Sequence, residues 1–343
     1  MMKQILILTI LLSISTTGFA EKQTSKIVSS IIYSKNLENS FGENPNREIS
    51  VYLPPDYSKS DTRYPVIYFL HGFGGDHRVV SDMAELLDYA ISKHKIRPFI
   101  MVASNQKTTY DGSFYSNTKF FGNWEDFTAY DVVEYIDNNF KTIPKKQARG
   151  IAGHSMGGYG ALKIAMHHPE IFSSVYALSP GALAIVKEYG PNSNTYRELS
   201  GINSKEELGK TYFGKVVTAF AKSWSPNPDK PPFYCDIPFE YDGEELIINK
   251  KVLNKWYANM PFYMIDDNLD NLQKLKAIKL DWGRNAGDRF TVQCEMFSQR
   301  LENAGIKHFA EEYIGTHGSG IYTKEGRITN QMLPFFNDYL EFE

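Results

Sequence analysis

The sequence predicts an α/β fold in which a mostly parallel central sheet carries helices on both faces. Strand-like and helix-like segments alternate from about residue 48 onward, and the run at residues 65–70 is apolar throughout. A continuously apolar run of that length suits a strand buried on both faces. The alternation stops at residues 181–270, which are rich in proline, asparagine, lysine and aromatic residues, and resumes at residue 277. We therefore interpret this stretch as a lid-like insertion into a single domain.

Each predicted element follows from a local pattern. Residues 47–53 alternate polar and apolar side chains, as a half-buried strand does. Residues 124–140 repeat apolar side chains at helical spacing, and Pro169 ends the helix predicted at residues 157–167. The remaining strands are predicted at residues 65–70, 99–103, 150–153, 174–178, 277–282 and 307–313, and the remaining helices at residues 83–91 and 292–304.

The N-terminal segment has the layout of a secretory signal peptide. A positive start at Lys3 is followed by an apolar run at residues 5–14 and by small and polar residues that end at Ala20. We expect residues 1–20 to be removed, leaving a single domain at residues 21–343 that is secreted or periplasmic. The apolar run is shorter than the roughly 20 residues that span a bilayer. No later stretch is apolar enough, so no membrane span is expected in the mature chain.

The composition argues against several classes of partner. The 37 basic and 40 acidic residues leave a net charge of -3, which is too small to attract nucleic acid or anionic lipid. Cys235 and Cys294 form no CxxC pair, and no histidine–cysteine cluster has zinc-ligand spacing, so no metal site is expected. Whether the two cysteines form a disulfide is left open by the sequence, as is the oligomeric state.

The strongest chemical motif is Gly153-His154-Ser155-Met156-Gly157, which matches G-x-S-x-G. Such a motif presents a nucleophilic serine on a sharp strand-to-helix turn, where glycines are needed because a Cβ would clash. The motif alone is a weak signal, since a glycine-rich turn with an idle serine also matches it. Here a predicted strand precedes Ser155 and a predicted helix follows it, and this context favours Ser155 as a nucleophile.

Two backbone amides are predicted to bind the oxyanion that forms on an attacked carbonyl. Met156 begins the helix after the nucleophile, so its amide points to where negative charge develops. The glycine-rich loop at residues 71–75 follows a buried strand, and its glycines let the backbone approach the nucleophile. We expect the second donor to be the amide of Phe73, then that of Gly72. The alternative is an ordinary glycine-rich connection.

A base and an acid are expected after the serine, because chain order in this type of site runs serine, acid, histidine. His317 lies in a glycine-rich loop directly after the last predicted strand and is the predicted base. Asp288, in the loop after the strand at residues 277–282, is the predicted acid that orients the histidine. The alternative acids are Asp281, at the end of that strand, and Asp266, Asp267 and Asp270 in the insertion.

These residues carry a family resemblance. The chain resembles the "Putative esterase" family, which includes feruloyl esterases, S-formylglutathione hydrolases, siderophore esterases and the mycolyltransferases of the antigen 85 group. The matching segments are residues 51–57, 64–75, 151–160, 168–172 and 315–317, which together span nearly all of the mature chain. The resemblance implies an α/β-hydrolase fold and no cofactor.

The resemblance also implies roles for individual residues. Ser155, Asp288 and His317 would form the triad, with Phe73 and Met156 as the oxyanion donors. One departure affects the acid. Family members often place it about three residues after the glycine that ends the strand, whereas position 286 is alanine here and the aspartate lies two residues further on.

We therefore expect a secreted serine esterase that forms an acyl-enzyme on a small-molecule or carbohydrate ester, such as a feruloyl or acetyl ester. Two alternatives remain. Residues 113–116 and 124–127 resemble the mycolyltransferase branch, in which an alcohol replaces water as the acyl acceptor, and they fit a general aromatic loop over the acyl pocket equally well. A non-catalytic binding protein on a hydrolase scaffold would predict a damaged triad, and a serine, a histidine and a candidate acid are all present.

Overall fold

The centre of the protein is an eight-stranded, mostly parallel sheet. The computed structural model describes residues 24–59 and 61–343, so the predicted signal peptide at residues 1–20 lies outside the described residues. In sheet order the strands are β1 (Lys26–Tyr33), β2 (Asn46–Leu53), β4 (Ile100–Ser104), β3 (Val66–Leu70), β7 (Arg149–His154), β8 (Ser174–Leu178), β11 (Ala277–Gly283) and β12 (Phe309–Tyr313). The six strands from β4 to β12 run parallel to one another. Strand β2 runs antiparallel to both of its neighbours, β1 and β4. This is the α/β-hydrolase fold.

Helices cover the sheet on both faces, as predicted. They are α1 (Val79–Ser92), α2 (Trp124–Asp126), α3 (Val133–Asn139), α4 (Met156–His167), α5 (Asn194–Ser200), α6 (Lys205–Leu208), α7 (Tyr212–Trp224), α8 (Lys250–Tyr257), α9 (Pro261–Met264), α10 (Leu269–Gln273), α11 (Asp288–Asn303) and α12 (Leu333–Tyr339). A π-helical segment, Phe127–Val132, joins α2 to α3, and another, Ile328–Met332, leads into α12.

The position of β3 in the sheet explains why its sequence is apolar throughout. Alternate side chains of a strand point to opposite faces of the sheet. Tyr68 therefore packs into the core under α4, whereas its neighbours Ile67 and Phe69 pack into the core under α1 and α12. All five residues of β3 are buried because both faces are covered.

The segment predicted as an insertion lies between β8 and β11. It contains α5 to α10 and a hairpin of β9 (Phe239–Asp242) and β10 (Glu245–Ile248). Helix α7 is largely buried: Phe220 and Trp224 stack with ring centroids 4.6 Å apart, and both contact Phe114 of the main domain. A second short hairpin, β5 (Asn117–Thr118) and β6 (Gly122–Asn123), lies in the main domain.

Several local features differ from the predictions or complete them. Strand β1 has no counterpart among the predicted strands, because this edge strand exposes side chains such as Ile31 and lacks a continuously apolar run. Helix α11 begins at Asp288, so this residue lies in the first helical turn and not in a loop.

Cys235 and Cys294 are both buried free thiols. None of the helices in the described part of the chain has the length and apolar character that a membrane crossing requires.

Candidate active site

Ser155 lies on a sharp turn between β7 and α4. Its backbone has φ 61° and ψ -116°, a conformation that non-glycine residues rarely adopt and that costs of order 1–3 kcal/mol. The flanking glycines make the turn possible. A Cβ on Gly153 would lie 2.4 Å from the carbonyl oxygen of Gly157, and a Cβ on Gly157 would lie 1.8 Å from the carbonyl oxygen of Leu70. The turn therefore holds the serine hydroxyl clear of the backbone.

His317 meets this serine at the carboxyl end of the sheet. It lies in the loop after β12, and its Nε2 is 2.8 Å from Ser155 Oγ. The serine hydroxyl can donate to Nε2 when the neutral imidazole carries its proton on Nδ1. The structure thus brings the predicted nucleophile and the predicted base into hydrogen-bond contact, which is the geometry that general-base activation of a hydroxyl requires.

The loop predicted to supply the second oxyanion donor lies directly against the nucleophile. A Cβ on Gly72 would come to 3.4 Å from the carbonyl oxygen of His154 and 3.5 Å from Ser155 Cβ. The amides of Gly74 and Gly75 donate to the carbonyls of Asp111 and Gly72, which fixes the turn on either side of Phe73. Residues Phe73, Met156, Ser155 and His317 all line one cavity.

The side chain of His71 holds the loop at residues 71–75 in place through two hydrogen bonds. The amide of Gln106 donates to Nε2 at 2.9 Å, so the ring proton is on Nδ1, which donates to the carbonyl of Gly72 at 2.8 Å. Burial lowers the pKa of His71 to about 4, which keeps the ring neutral. The hydroxyl of Tyr115 donates to the carbonyl of His71 at 2.9 Å. These bonds hold the backbone that leads into Phe73.

His154 contributes to the site in a way that was not predicted from the sequence. Its Nε2 donates to the main-chain carbonyl of His317 at 2.9 Å, and the two ring centroids are 4.9 Å apart. Burial lowers the pKa of His154, so a neutral ring makes this contact. The position in the G-x-S-x-G motif carries no sequence signal for such a contact, because the partner is a backbone atom 163 residues away.

The structure does not place the carboxylate of Asp288 against His317. Its carboxylate forms an ion pair with Lys187, and its side chain is 53% exposed. The Nδ1 atom of His317 is buried and has no hydrogen-bond partner among the described residues. The role of Asp288 as the acid of a triad therefore stays a prediction, without a contact that supports it.

The alternative acids also have other partners. Asp281 is fully buried in β11, where it accepts hydrogen bonds from the hydroxyl of Tyr176 at 2.6 Å and from Nε of Arg327 at 2.9 Å. Asp266 pairs with Arg300 on the surface. Asp267 and Asp270 are exposed in the insertion.

The environment of His317 disfavours its charged form. Burial lowers its pKa to about 3, with further lowering by the neighbouring His154 and Arg289. The ring of Phe290 stacks on the imidazole with centroids 3.6 Å apart and an interplanar angle of 19°. His317 is therefore a neutral hydrogen-bond acceptor toward Ser155 over most of the pH range.

An aromatic cavity of about 170 Å³ opens beside Ser155. The insertion supplies much of its wall, which the sequence indicated only through its aromatic composition. Its lining side chains include Phe73, Phe114, Tyr189, Tyr212, Phe213, Val216, Phe220 and Phe290. No group of three side chains suited to hold a metal ion occurs in the part of the chain that the structure describes.

A serine on a strained strand-to-helix turn, hydrogen-bonded to a histidine after the last strand, defines a serine hydrolase of the α/β-hydrolase fold. The chain belongs to the family described as "Putative esterase", whose family model matches residues 40–325. This family and the serine-hydrolase geometry support carboxylic-ester hydrolysis as the class of reaction.

Two relatives are named for an esterase activity. Esterase MT1326 of Mycobacterium tuberculosis is 33% identical over 290 residues, which are 83% of this chain and 55% of that protein. An endo-1,4-beta-xylanase/feruloyl esterase of Xylanibacter ruminicola is 36% identical over 140 residues, which are 38% of this chain and 19% of that protein. The chain thus spans about half the length, or less, of these curated relatives.

The fold also matches solved structures. A ferulic acid esterase superposes with a TM-score of 0.63 at 22% sequence identity, covering 93% of this chain and all of that one. At that level of identity the match establishes the shared fold.

Proposed function

We propose that the protein is a secreted or periplasmic carboxylic-ester hydrolase that forms an acyl-enzyme on Ser155. The observation that carries the proposal is the 2.8 Å contact between Ser155 Oγ and His317 Nε2 beside the oxyanion loop. The predicted signal peptide supports the location, and family membership supports the reaction class. No cofactor is needed for this chemistry.

The first half of the reaction acylates the serine. Ser155 Oγ attacks the ester carbonyl while His317 Nε2 takes its proton. The amides of Phe73 and Met156 stabilise the negative charge on the tetrahedral intermediate, for which Gly72 is the alternative donor. The intermediate collapses as the C–O bond to the alcohol breaks, and the imidazolium returns its proton to the leaving oxygen. In the second half, water attacks the acyl-enzyme through the same steps in reverse.

The cavity beside Ser155 supports a short or single-ring acyl group. A dry apolar cavity of roughly 150 Å³ holds one benzene molecule, and the cavity here is about 170 Å³ with aromatic walls. Aromatic side chains pack against a planar ring at favourable edge-to-face or offset geometry. An acetyl group fits this space, and the aromatic walls suit the ring of a cinnamate-type acyl group such as feruloyl.

A polar groove that is also lined by Phe73 supports a hydroxyl-rich alcohol. The groove has a volume of about 430 Å³, and its lining includes Asp76, Asp82 and Tyr322. Carboxylates accept hydrogen bonds from hydroxyl groups, and an aromatic ring packs against the apolar face of a sugar. The cavity and the groove share Phe73, which makes the groove the candidate site for the alcohol of an ester that Ser155 attacks.

The test measures hydrolysis of nitrophenyl esters from acetate to longer chains, of methyl ferulate and of an acetylated sugar. Ser155→Ala is the loss-of-function variant, and Ser92→Ala, an exposed serine at the end of α1, is the matched control. We expect turnover by the wild type and by Ser92→Ala, and a loss of at least about 10³-fold in Ser155→Ala.

Two results would contradict the proposal. Equal turnover in the wild type and Ser155→Ala would remove Ser155 from the reaction. A wild type that binds a glycan but turns over no activated ester would instead identify a binding protein. Products are also analysed with a sugar added as acceptor, because transfer of the acyl group to the sugar in preference to water would identify an acyltransferase.

A further inference from the structure

A second pocket lies in the insertion and is separate from the cavity beside Ser155. It is enclosed by α5, α7, β9 and the loop at residues 230–237, and we call it the α5–α7 pocket. None of the described residues that line it also lines the cavity beside Ser155. Its volume is about 390 Å³, which lies within the roughly 300–1,000 Å³ of small-molecule sites. The pocket is therefore large enough for a ligand of its own.

Helix α7 separates this pocket from the cavity. Val216 and Phe220 line the cavity, whereas Thr218 lines the α5–α7 pocket. An α-helix turns by about 100° per residue, so Thr218 points to the opposite side of the helix from Val216. The ring of Tyr196 lines the pocket, and its hydroxyl donates at 2.9 Å to the carbonyl of Tyr189, a residue of the cavity wall. The pocket and the cavity thus lie on opposite sides of one helix.

The inner part of the pocket is buried and carries aromatic rings. Thr218 is 2% exposed and Cys235 is 7% exposed, and the half-buried rings of Phe233 and Tyr241 lie beside them in the lining. The hydroxyl of Tyr241 donates to the carbonyl of Pro191 at 2.7 Å, which holds this ring in place. A ring that is already fixed loses little side-chain freedom when a ligand packs against it.

The rim of the pocket is polar, and its charges cancel. Among the described residues that line the pocket, the charged ones are Lys230 and Glu240, whose half-exposed side chains form an ion pair at 2.8 Å. Ser200 and Asn203 are exposed and add a hydroxyl and an amide to the lining. The rim therefore presents hydrogen-bond donors and acceptors without a net charge.

This combination of rings and a neutral rim selects the class of ligand. A charged ligand would meet a like charge on one member of the ion pair. A wholly apolar ligand would take Lys230 and Glu240 out of water without offering them hydrogen bonds, which is unfavourable. A sugar ring packs its CH face against an aromatic ring, while its hydroxyls both donate and accept hydrogen bonds. A neutral sugar therefore suits both parts of the pocket.

We propose that the α5–α7 pocket is a second sugar-binding site, in which a neutral sugar unit packs against Phe233 and Tyr241 while its hydroxyls bind Lys230 and Glu240. The site makes and breaks no covalent bond. It goes beyond the proposed ester hydrolysis, because sugar binding in this pocket does not depend on turnover at Ser155.

The thiol of Cys235 is a local probe of the pocket. The Ser155→Ala protein is alkylated with N-ethylmaleimide, with and without xylotriose, cellotriose or maltotriose, and both cysteines are followed by mass spectrometry. Because alkylation of Cys235 needs an empty pocket, its rate should fall by a factor of 1 + [sugar]/Kd, which is about fivefold at four times the Kd. Cys294 is 0% exposed and lies outside the lining, so it reports general stabilisation and should change much less.

Two outcomes of this experiment would overturn the proposal. One is an unchanged rate for Cys235 with all three sugars. The other is equal slowing of Cys235 and Cys294, which would mean that the sugar stabilises the fold from another site. Calorimetric titration with the same sugars checks the result without relying on the thiol, and an absence of saturable binding there would also overturn the proposal.

Variants of the pocket test the proposed contacts. Glu240→Gln removes a charged hydrogen-bond acceptor, and Tyr241→Ala removes a ring, so each should raise the Kd from Cys235 protection by about tenfold. Tyr241→Phe keeps the ring and should restore binding. Glu245→Gln is the matched control, because Glu245 is an exposed carboxylate of the same hairpin that lies outside the lining. An unchanged Kd in both Glu240→Gln and Tyr241→Ala would place the sugar elsewhere and refute the proposal.

Kinetics with Ser155 intact distinguish two sources of the bound sugar. The substrates are nitrophenyl acetate and the acetylated form of the sugar that binds. A larger rise in KM for the acetylated sugar than for nitrophenyl acetate in Tyr241→Ala would assign the sugar to the substrate of Ser155. Equal effects on both would assign it to a separate glycan chain. Residual turnover in Ser155→Ala would refute the proposed hydrolysis and leave the binding result as it is.

Discussion

A Cβ built on Gly157 would lie 1.8 Å from the carbonyl oxygen of Leu70 and 2.5 Å from its carbonyl carbon. The first turn of α4 therefore touches the end of β3, the strand that leads into the oxyanion loop. Because both partners are backbone atoms, neither can rotate away. The two sides of the active site are held together through this contact.

Gly157→Ala should consequently destabilise the protein by about 3 kcal/mol or more, at the upper end of what overpacking costs, and should abolish turnover. Gly201→Ala is the matched control. Gly201 ends α5 with φ -93°, and the nearest atom to its added Cβ would be 3.7 Å away. Urea unfolding monitored by circular dichroism measures both variants. Equal stability of the two would mean that α4 and β3 separate easily.

Tyr115 is expected to affect catalysis through the oxyanion loop. Its buried hydroxyl donates to the carbonyl of His71, and Tyr115→Phe removes that bond, which costs about 1 kcal/mol. We expect kcat to fall by up to about tenfold because the backbone before Phe73 is less firmly held. Tyr52→Phe removes a comparable bond, from a buried hydroxyl to Asp88 at 2.7 Å, and neither residue lines the cavity beside Ser155. That control should lose stability and keep its kcat.

Much of the site was predictable because its chemistry depends on local sequence. Ser155 lies directly between β7 and α4, and His317 follows the last strand, β12. The sheet topology alone therefore brings these two residues together. The acid could not be predicted in this way. A shift of two residues along the loop, from Ala286 to Asp288, changes which side chain enters the cavity. Whether Ala286 or Asp288 faces His317 depends on how the loop after β11 packs, which no local pattern specifies.

The internal structure of the insertion was unpredictable for another reason. Its helices are short, and their aromatic residues contact distant parts of the chain instead of repeating along one face. Trp224 donates to Ser116 Oγ at 3.0 Å, and Trp256 donates to Ser225 Oγ at 2.9 Å. Such pairings are set by tertiary packing, so the sequence indicated an aromatic region but not the cavity wall that it forms.

A buried ion cluster between α2 and α4 should dominate the acid sensitivity of the fold. Lys163 Nζ contacts Ser116 Oγ at 2.8 Å and Glu125 Oε2 at 3.5 Å, and Glu125 also contacts His167 and His168. Burial alone would raise the pKa of Glu125, but Lys163 and the two histidines outweigh it and hold the pKa below its ordinary value of 4.5. The unfolded chain therefore binds this proton more tightly than the folded one.

It follows that the stabilisation from Glu125 is present above about pH 4.5 and is lost as the pH falls further. Glu125→Gln should show a weaker dependence of the free energy of unfolding on pH below 5 than the wild type. Lys163→Met, which strands the buried carboxylate, should cost about 3–5 kcal/mol at pH 7. The exposed Lys274→Met is the control. A wild type and Glu125→Gln with parallel pH profiles would locate the acid sensitivity elsewhere.

Val216 should control which acyl groups are accepted. It lies on α7 with its side chain 5% exposed and forms part of the cavity wall. Val216→Phe fills space that a single-ring acyl group would occupy, and overpacking of this kind costs about 1–3 kcal/mol. We expect kcat/KM for methyl ferulate to fall by about 5- to 150-fold, while nitrophenyl acetate, whose acyl group is much smaller, changes by less than about threefold. The two substrates are measured on one preparation, so a loss of folded enzyme lowers both equally. A parallel fall for both esters would mean that the ring of the acyl group binds outside this cavity.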